Sequence, residues 1–206
     1  MKQQDINPNL TRLVIAYQEL LNFPLPNRKI VVVYGFPGCG KSSAAIWLSD
    51  QAKGLFVRAN TVWNEKSMLK FILKASGYDA SDLRSNYEMF TYCVEHLFEA
   101  NESIFEANEL QFLFPAKYSR TKSSLFVDEA DYLLKGNGKM LDMLLDINQE
   151  TGVPVILIGG EQIKENLALY HRCNYISQWV QFSSDPEPLS EDEMSVGQAF
   201  MERLDE

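Results

Sequence analysis

Apolar positions along the chain change their spacing several times, and each change marks an element. LTRLVIAYQELL, from Leu10, sets apolar residues three and four apart ahead of the turn-like NFPLPN, which predicts a first helix. KIVVVYG, Lys29 to Gly35, is an unbroken β-branched run, the pattern of a strand buried on both faces. It feeds a glycine-rich stretch, after which KSSAAIWLSDQA reads as a helix. GLFVRAN, from Gly54, predicts a second strand, and NEKSMLKFILKASG, from Asn64, a helix ended by its glycine. SSLFVDEADYLL, from Ser123, is a third strand ending in acids, followed by the helical GKMLDMLLDINQETG. VPVILIGG, from Val153, EQIKENLALYHR and YISQWVQF then read as strand, helix and strand. SEDEMSVGQAFMERL opens on Ser190 with Glu193 three residues on, the capping-box spacing of a final helix.

Strands separated by helices require crossover connections, so the expected architecture is α/β: a five-stranded parallel sheet with helices on both faces. Residues 80–122 break the rhythm, being helical in composition and longer than an ordinary strand-to-helix connection. That stretch holds FEANE twice, at Phe98 and Phe105, seven residues apart and therefore on one helix face. Such a pair suits a core-facing aromatic couple or a partner-binding face. The expected organisation is one domain over 1–184, with a helical insertion at about 80–122, and an acidic helix or tail over 185–206.

Length and charge refine this picture. The 206 residues suffice for one well-cored domain, and no apolar run approaches a bilayer-spanning length. The polar start MKQQDINPN lacks the features of a signal peptide, so a soluble, cytoplasmic protein without a membrane partner is expected. Cys39, Cys93 and Cys173 form no CxxC pair, which suggests reduced thiols and neither a disulfide framework nor a zinc site. The net charge of −9 argues against a nucleic-acid partner until its distribution is considered. Asp185 to Glu206 carries eight acids against Arg203 alone, which leaves −2 for residues 1–184. That acidic run reads as a solvated helix or terminus, or as a recruitment peptide.

The chemistry concentrates in two places. Gly35-Phe36-Pro37-Gly38-Cys39-Gly40-Lys41-Ser42 matches GxxxxGK[ST] and lies between a predicted strand and a predicted helix, as that motif requires. Its glycines let successive N–H groups face phosphate oxygens, and the helix N-terminus adds positive potential. Gly35, Pro37, Gly38, Cys39, Gly40, Lys41, Ser42 and Ser43 are the expected ATP contacts, Lys41 reaching the β- and γ-phosphates and Ser42 placing its hydroxyl on Mg²⁺. A second acid should close such a site from a neighbouring strand end, and LFVDE supplies it: Asp128 on the Mg²⁺ side, Glu129 to orient or deprotonate water. Asp131 completes the letters DEAD, but a helicase of that name needs two such domains.

With these motifs in their order, the chain resembles the AAA+ P-loop ATPases, in the division that inserts a strand between the two Walker strands. Closest in pattern are the transposition ATPases typified by the B protein of phage Mu. The resemblance runs from about Asn7 to Glu193, through GFPGCGKS, FVRANTVWNEKSMLKFILKASG, LFVDEADYL, TGVPVILIGGEQI, HRCNYISQWVQF and PLSEDE. It implies a P-loop three-layer sandwich, ATP-dependent self-assembly on DNA, release by hydrolysis, and a transposase-like protein partner. Three features differ from the family. Gly160 stands where a polar phosphate sensor is usual, leaving Glu161 or Gln162 as stand-ins. Arg172 is the candidate arginine finger, acting in trans or else capping a helix end, while Tyr175 replaces a frequent Arg. The chain stops soon after PLSEDE, which implies little or no C-terminal lid.

For DNA, the local signal is PAKYSRTK, with Lys117, Arg120, Lys122 and the ring of Tyr118, and no acid from Leu110 to Val127. The same run also suits a solvated loop. Two other functions share the motifs: a slowly hydrolysing nucleotide switch that recruits a protein, and a small-molecule phosphotransferase. The latter usually clamps phosphate with several arginines, which Arg172 alone does not supply.

Overall fold

The computed structural model describes residues 7–25, 28–95 and 124–204. The FEANE pair at Phe98 and Phe105 and the basic run of Lys117, Arg120 and Lys122 lie outside the described residues.

Capping chemistry fixes where the first helix begins. The Asn7 side chain accepts from the N–H groups of Asn9 and Leu10, and Pro8 occupies the first turn, where a missing N–H costs nothing. Helix α1 therefore spans Pro8–Leu21, two residues earlier than its apolar pattern alone suggests. Strand β1 (Ile30–Gly35) leads to α2 (Lys41–Gln51), β2 (Leu55–Arg58) and α3 (Glu65–Ala75). Residues 86–95 form a further helix, α4, inside the stretch expected to be a helical insertion. Strand β3 (Leu125–Asp128) ends abruptly, and ADYLL (Ala130–Leu134) winds into a 3-10 turn. Then come α5 (Lys139–Thr151), β4 (Val155–Ile158), α6 (Ile163–Leu169), β5 (Gln178–Phe182) and α7 (Glu191–Leu204). Among the described residues no helix is long and apolar enough to cross a membrane.

All strand pairs are parallel, in the order β2-β3-β4-β1-β5. Side chains alternate across the sheet and build two cores, which explains why the strands read as continuous apolar runs. Ile30, Val32, Leu125, Val127, Val155 and Leu157 meet α3, α5 and α6 on one face. Val31, Val33, Phe126, Ile156 and Ile158 meet α1 and α2 on the other. The result is the three-layer α/β sandwich of P-loop NTPases, with β4 between the two motif-bearing strands β1 and β3.

Capping boxes close three helix starts, one of them at α4, where Ser85 and Glu88 bond each other's backbone N–H at 3.1 Å. Ser190 and Glu193 exchange backbone-to-side-chain bonds at α7, as the spacing predicts, and Arg12 of α1 pairs with Glu193 at 3.1 Å. Asn64 and Ser67 do the same at α3, with the Ser67 N–H 2.9 Å from Asn64 Oδ1. Asn64→Ala should lower unfolding free energy by about 1 kcal/mol in urea denaturation, because it orphans one first-turn donor, the Ser67 N–H, without opening a cavity. A change below about 0.3 kcal/mol would show that water caps this end as well as the side chain does.

Candidate nucleotide site

Parallel pairing brings the carboxyl ends of β1, β3 and β4 to one edge of the sandwich, where open α/β sheets place ligands. There Gly35, Lys41, Ser42, Asp128, Glu129 and Gly160, among others, line a cleft of about 360 Å³.

The loop leaves β1 at Gly35, which pairs with Phe182 of β5 at φ +151°, and a Cβ there would meet the Phe182 carbonyl oxygen at 2.2 Å. Only glycine lets the two chains approach so closely. Gly40 caps α2 in the left-handed region and offers no side-chain cap, so the first-turn N–H groups of α2 have no side-chain acceptor at their cap. Lys41 Nζ donates to the carbonyls of Gly35 and Phe36, both at 2.7 Å, and lies 3.6 Å from Cys39 Sγ. The Cys39 thiol in turn donates to the Phe36 carbonyl at 2.9 Å.

Asp128 closes the cleft from β3. It is 2% exposed, and its Oδ1 accepts the Ser42 hydroxyl at 3.1 Å and the Glu129 N–H at 3.0 Å. Glu129 is exposed and sits in the left-handed region, φ 56° and ψ 39°, at the sharp turn from β3 into the 3-10 segment. A non-glycine residue adopts that conformation only where its surroundings over-determine it.

Sequence spacing alone misses two participants. Arg58, at the end of β2, donates from Nε to Asp128 Oδ2 at 2.9 Å, and its Nη2 lies 2.8 Å from the same oxygen as an ion pair. Asp131 accepts the Gly160 N–H at 2.6 Å, tying the end of β4 to the turn that carries Glu129. At the expected sensor position, then, the interaction is a backbone N–H held by an acid from the neighbouring strand's turn. Glu161 and Gln162 are exposed and are not among the residues lining the cleft.

Arg172 is not among the cleft residues either. Its guanidinium grips both oxygens of Asp142 on α5, Nη2 at 2.8 Å, and Nη1 donates to the Tyr170 carbonyl at 2.9 Å. The Asp142 hydrogen bond holds its pKa above the usual arginine value. Tyr175 packs, partly buried, against the core below.

The donor set suits a polyphosphate with a hard cation. N–H groups at a helix start and one ammonium face anionic oxygen, and a hydroxyl with a carboxylate offers hard oxygen donors for Mg²⁺. Bound there, Mg²⁺ would supply charge neutralisation to the phosphates.

Residues 26–167 match a family described as AAA domain. A solved structure described as "Structure of Drosophila ORC bound to DNA" resembles the chain at 16% identity and a TM-score of 0.44, covering 99% of this chain and 52% of that one. This chain thus spans about half the length of its structural neighbour. No curated protein matches it. The family match runs from before β1 into α6, well over half of the residues, and the chain belongs to the AAA domain family.

Proposed function

We propose that this protein binds and hydrolyses ATP with Mg²⁺ and that nucleotide-dependent self-assembly controls its binding to DNA, as in the transposition ATPases typified by the phage Mu B protein. The observation that carries the hydrolytic reading is the cluster at the strand ends: Lys41 in the loop, Ser42 Oγ on Asp128 Oδ1, and an exposed Glu129 one residue on. In this reading Gly35, Pro37, Gly38, Cys39, Gly40 and Ser43 cradle the phosphates. Lys41 neutralises their charge, Ser42 and Asp128 hold Mg²⁺, and Glu129 orients or deprotonates the attacking water. The ATPase domain is 1–184, with a helical insertion at about 80–122, and 185–206 is an acidic C-terminal helix or tail. The protein works in the cytoplasm.

The DNA role draws on Lys117, Arg120, Lys122 and Tyr118, a run free of acids that suits a phosphate backbone with one stacking ring. The test is gel filtration and filter binding with DNA, using ATP or ADP with Mg²⁺. ATP, and not ADP, should give a higher oligomer that retains DNA and loses it as salt rises. A wild-type protein that stays monomeric and DNA-free in saturating ATP would overturn this role.

One observation favours a second reading, a slowly hydrolysing switch that recruits a transposase-like or other protein. Arg172, the candidate trans finger, is committed to Asp142 and would need release before it reached a neighbour's phosphates. Rapid ATP turnover by assembled wild type would exclude the switch. Turnover only after Asp142→Asn, which loosens that grip, would support it.

A further inference from the structure

The strands LFVR and LFVD differ in one residue, and they lie side by side in register, from Leu55 against Leu125 to Arg58 against Asp128. Three matched apolar pairs thus end in one pair of opposite charges. The Asp128 side chain is 3% exposed and that of Arg58 57%, so the acid is sealed in while the base reaches it from solvent. The two carboxylate oxygens have separate partners: Oδ1 takes the Ser42 hydroxyl and the Glu129 N–H, and Oδ2 accepts from Arg58 Nε and pairs with Nη2.

We infer that Arg58 is a positioning residue that sets the divalent-cation requirement of the nucleotide site. Its fixed charge on the far oxygen of Asp128 balances the buried acid when metal is absent and opposes the metal's charge when metal arrives. The inference rests on the proposed metal role of Ser42 and Asp128. A buried carboxylate without a counter-charge is costly, so Arg58 keeps the metal-free site assembled. The same cation, one carboxylate away from the proposed metal position, lowers the metal's affinity on the order of tenfold at the effective dielectric of a partly exposed site. A pair that served only to lock the strand register would not be felt by the metal. Because the guanidinium is more than half exposed, its removal opens no cavity in either core.

The test uses the full chain with Arg58→Gln, Arg58→Ala and Arg58→Lys. Mn²⁺ binding is read by electron paramagnetic resonance in the presence of ATP, and capture of a fluorescent ATP analogue is titrated with Mg²⁺ and repeated in chelator. Gln keeps a donor without the charge, Ala removes both, and Lys keeps the charge. The Gln and Ala variants should tighten Mn²⁺ and lower the half-saturating Mg²⁺ about tenfold, with Lys within about twofold of wild type. Analogue affinity in chelator should be equal in wild type and Lys. Unchanged metal requirements in all three variants, or a raised requirement in Gln and Ala, would overturn the inference while leaving the nucleotide reading intact. Failure of the wild type to capture the analogue at any Mg²⁺ concentration would overturn both.

Discussion

Lys41→Ala should lower ATP capture and turnover by about two to three orders of magnitude while leaving the fold intact. The ammonium now serves two neutral carbonyls, those of Gly35 and Phe36, at 2.7 Å each, inside a loop whose other donors are backbone N–H groups. A triphosphate offers anionic oxygens in place of those carbonyls, and charge-assisted hydrogen bonds are roughly twice as strong as neutral ones. Among the described residues, Lys41 is the one Lys or Arg lining the cleft. The two carbonyls left behind face a cleft open to water, so stability should move by less than about 1 kcal/mol. Calorimetric ATP titration and phosphate release check the first expectation, and urea denaturation the second. Wild-type affinity in the Ala variant would remove Lys41 from the site.

What was legible beforehand divides along chain distance. The inner strands β1, β3 and β4 declared themselves because each is buried on both faces and so carries an apolar run, whereas the edge strands β2 and β5 mix apolar with exposed positions; GFPGCGKS and LFVDE could be recognised because their geometry is local. Helix α1 begins earlier than its periodicity suggests because Asn7 and Pro8 act through capping, which hydrophobic spacing does not report. DYLL continues the apolar run of β3 yet leaves the sheet, since the left-handed turn at Glu129 breaks the strand.

The participants that spacing missed act across the sheet: Arg58 reaches Asp128 over 70 residues, and Asp131 reaches Gly160 over 29. A signal for the first was present in the pair LFVR and LFVD, but only the parallel register turns that likeness into contact. Gly160 read as a lost sensor because sequence reports a missing side chain and not what fills its place. Asp131 Oδ2 lies 3.5 Å from where a Gly160 Cβ would be and 2.9 Å from that of Gly159, and Ile163 Cδ1 lies 2.3 Å from the latter. The two glycines therefore make room for an acid that arrives from β3, and a polar side chain restored at Gly160 would have to share that space with a carboxylate.

Glu129→Gln should cut ATP turnover by about two to four orders of magnitude and leave ATP affinity within a few-fold of wild type. Gln has nearly the shape of Glu, so the turn is preserved. In the proposed function, what is lost is the ability to take a proton from water, a step that matters only in the transition state. The backbone restrains this side chain. Glu129 occupies φ 56° and ψ 39°, its N–H is tied to Asp128 Oδ1 at 3.0 Å, and its carbonyl accepts from Tyr132 at 3.0 Å. With Asp128 and Ala130 both 2% exposed on either side, the side chain has no freedom to retreat into the strand and stays aimed outward at the cleft. Holding a Glu there costs on the order of 1 kcal/mol that a glycine would not incur. Glu129→Gly should therefore stabilise the protein by about that amount while losing turnover as the Gln variant does, so that stability and activity move in opposite directions at one position. Single-turnover hydrolysis and urea denaturation of both variants separate the two effects. Near-wild-type turnover with Gln would assign the water-activating role elsewhere, whereas a Gln variant that binds ATP and keeps its assembled form on gel filtration would place Glu129 at the step that ends the ATP-bound state.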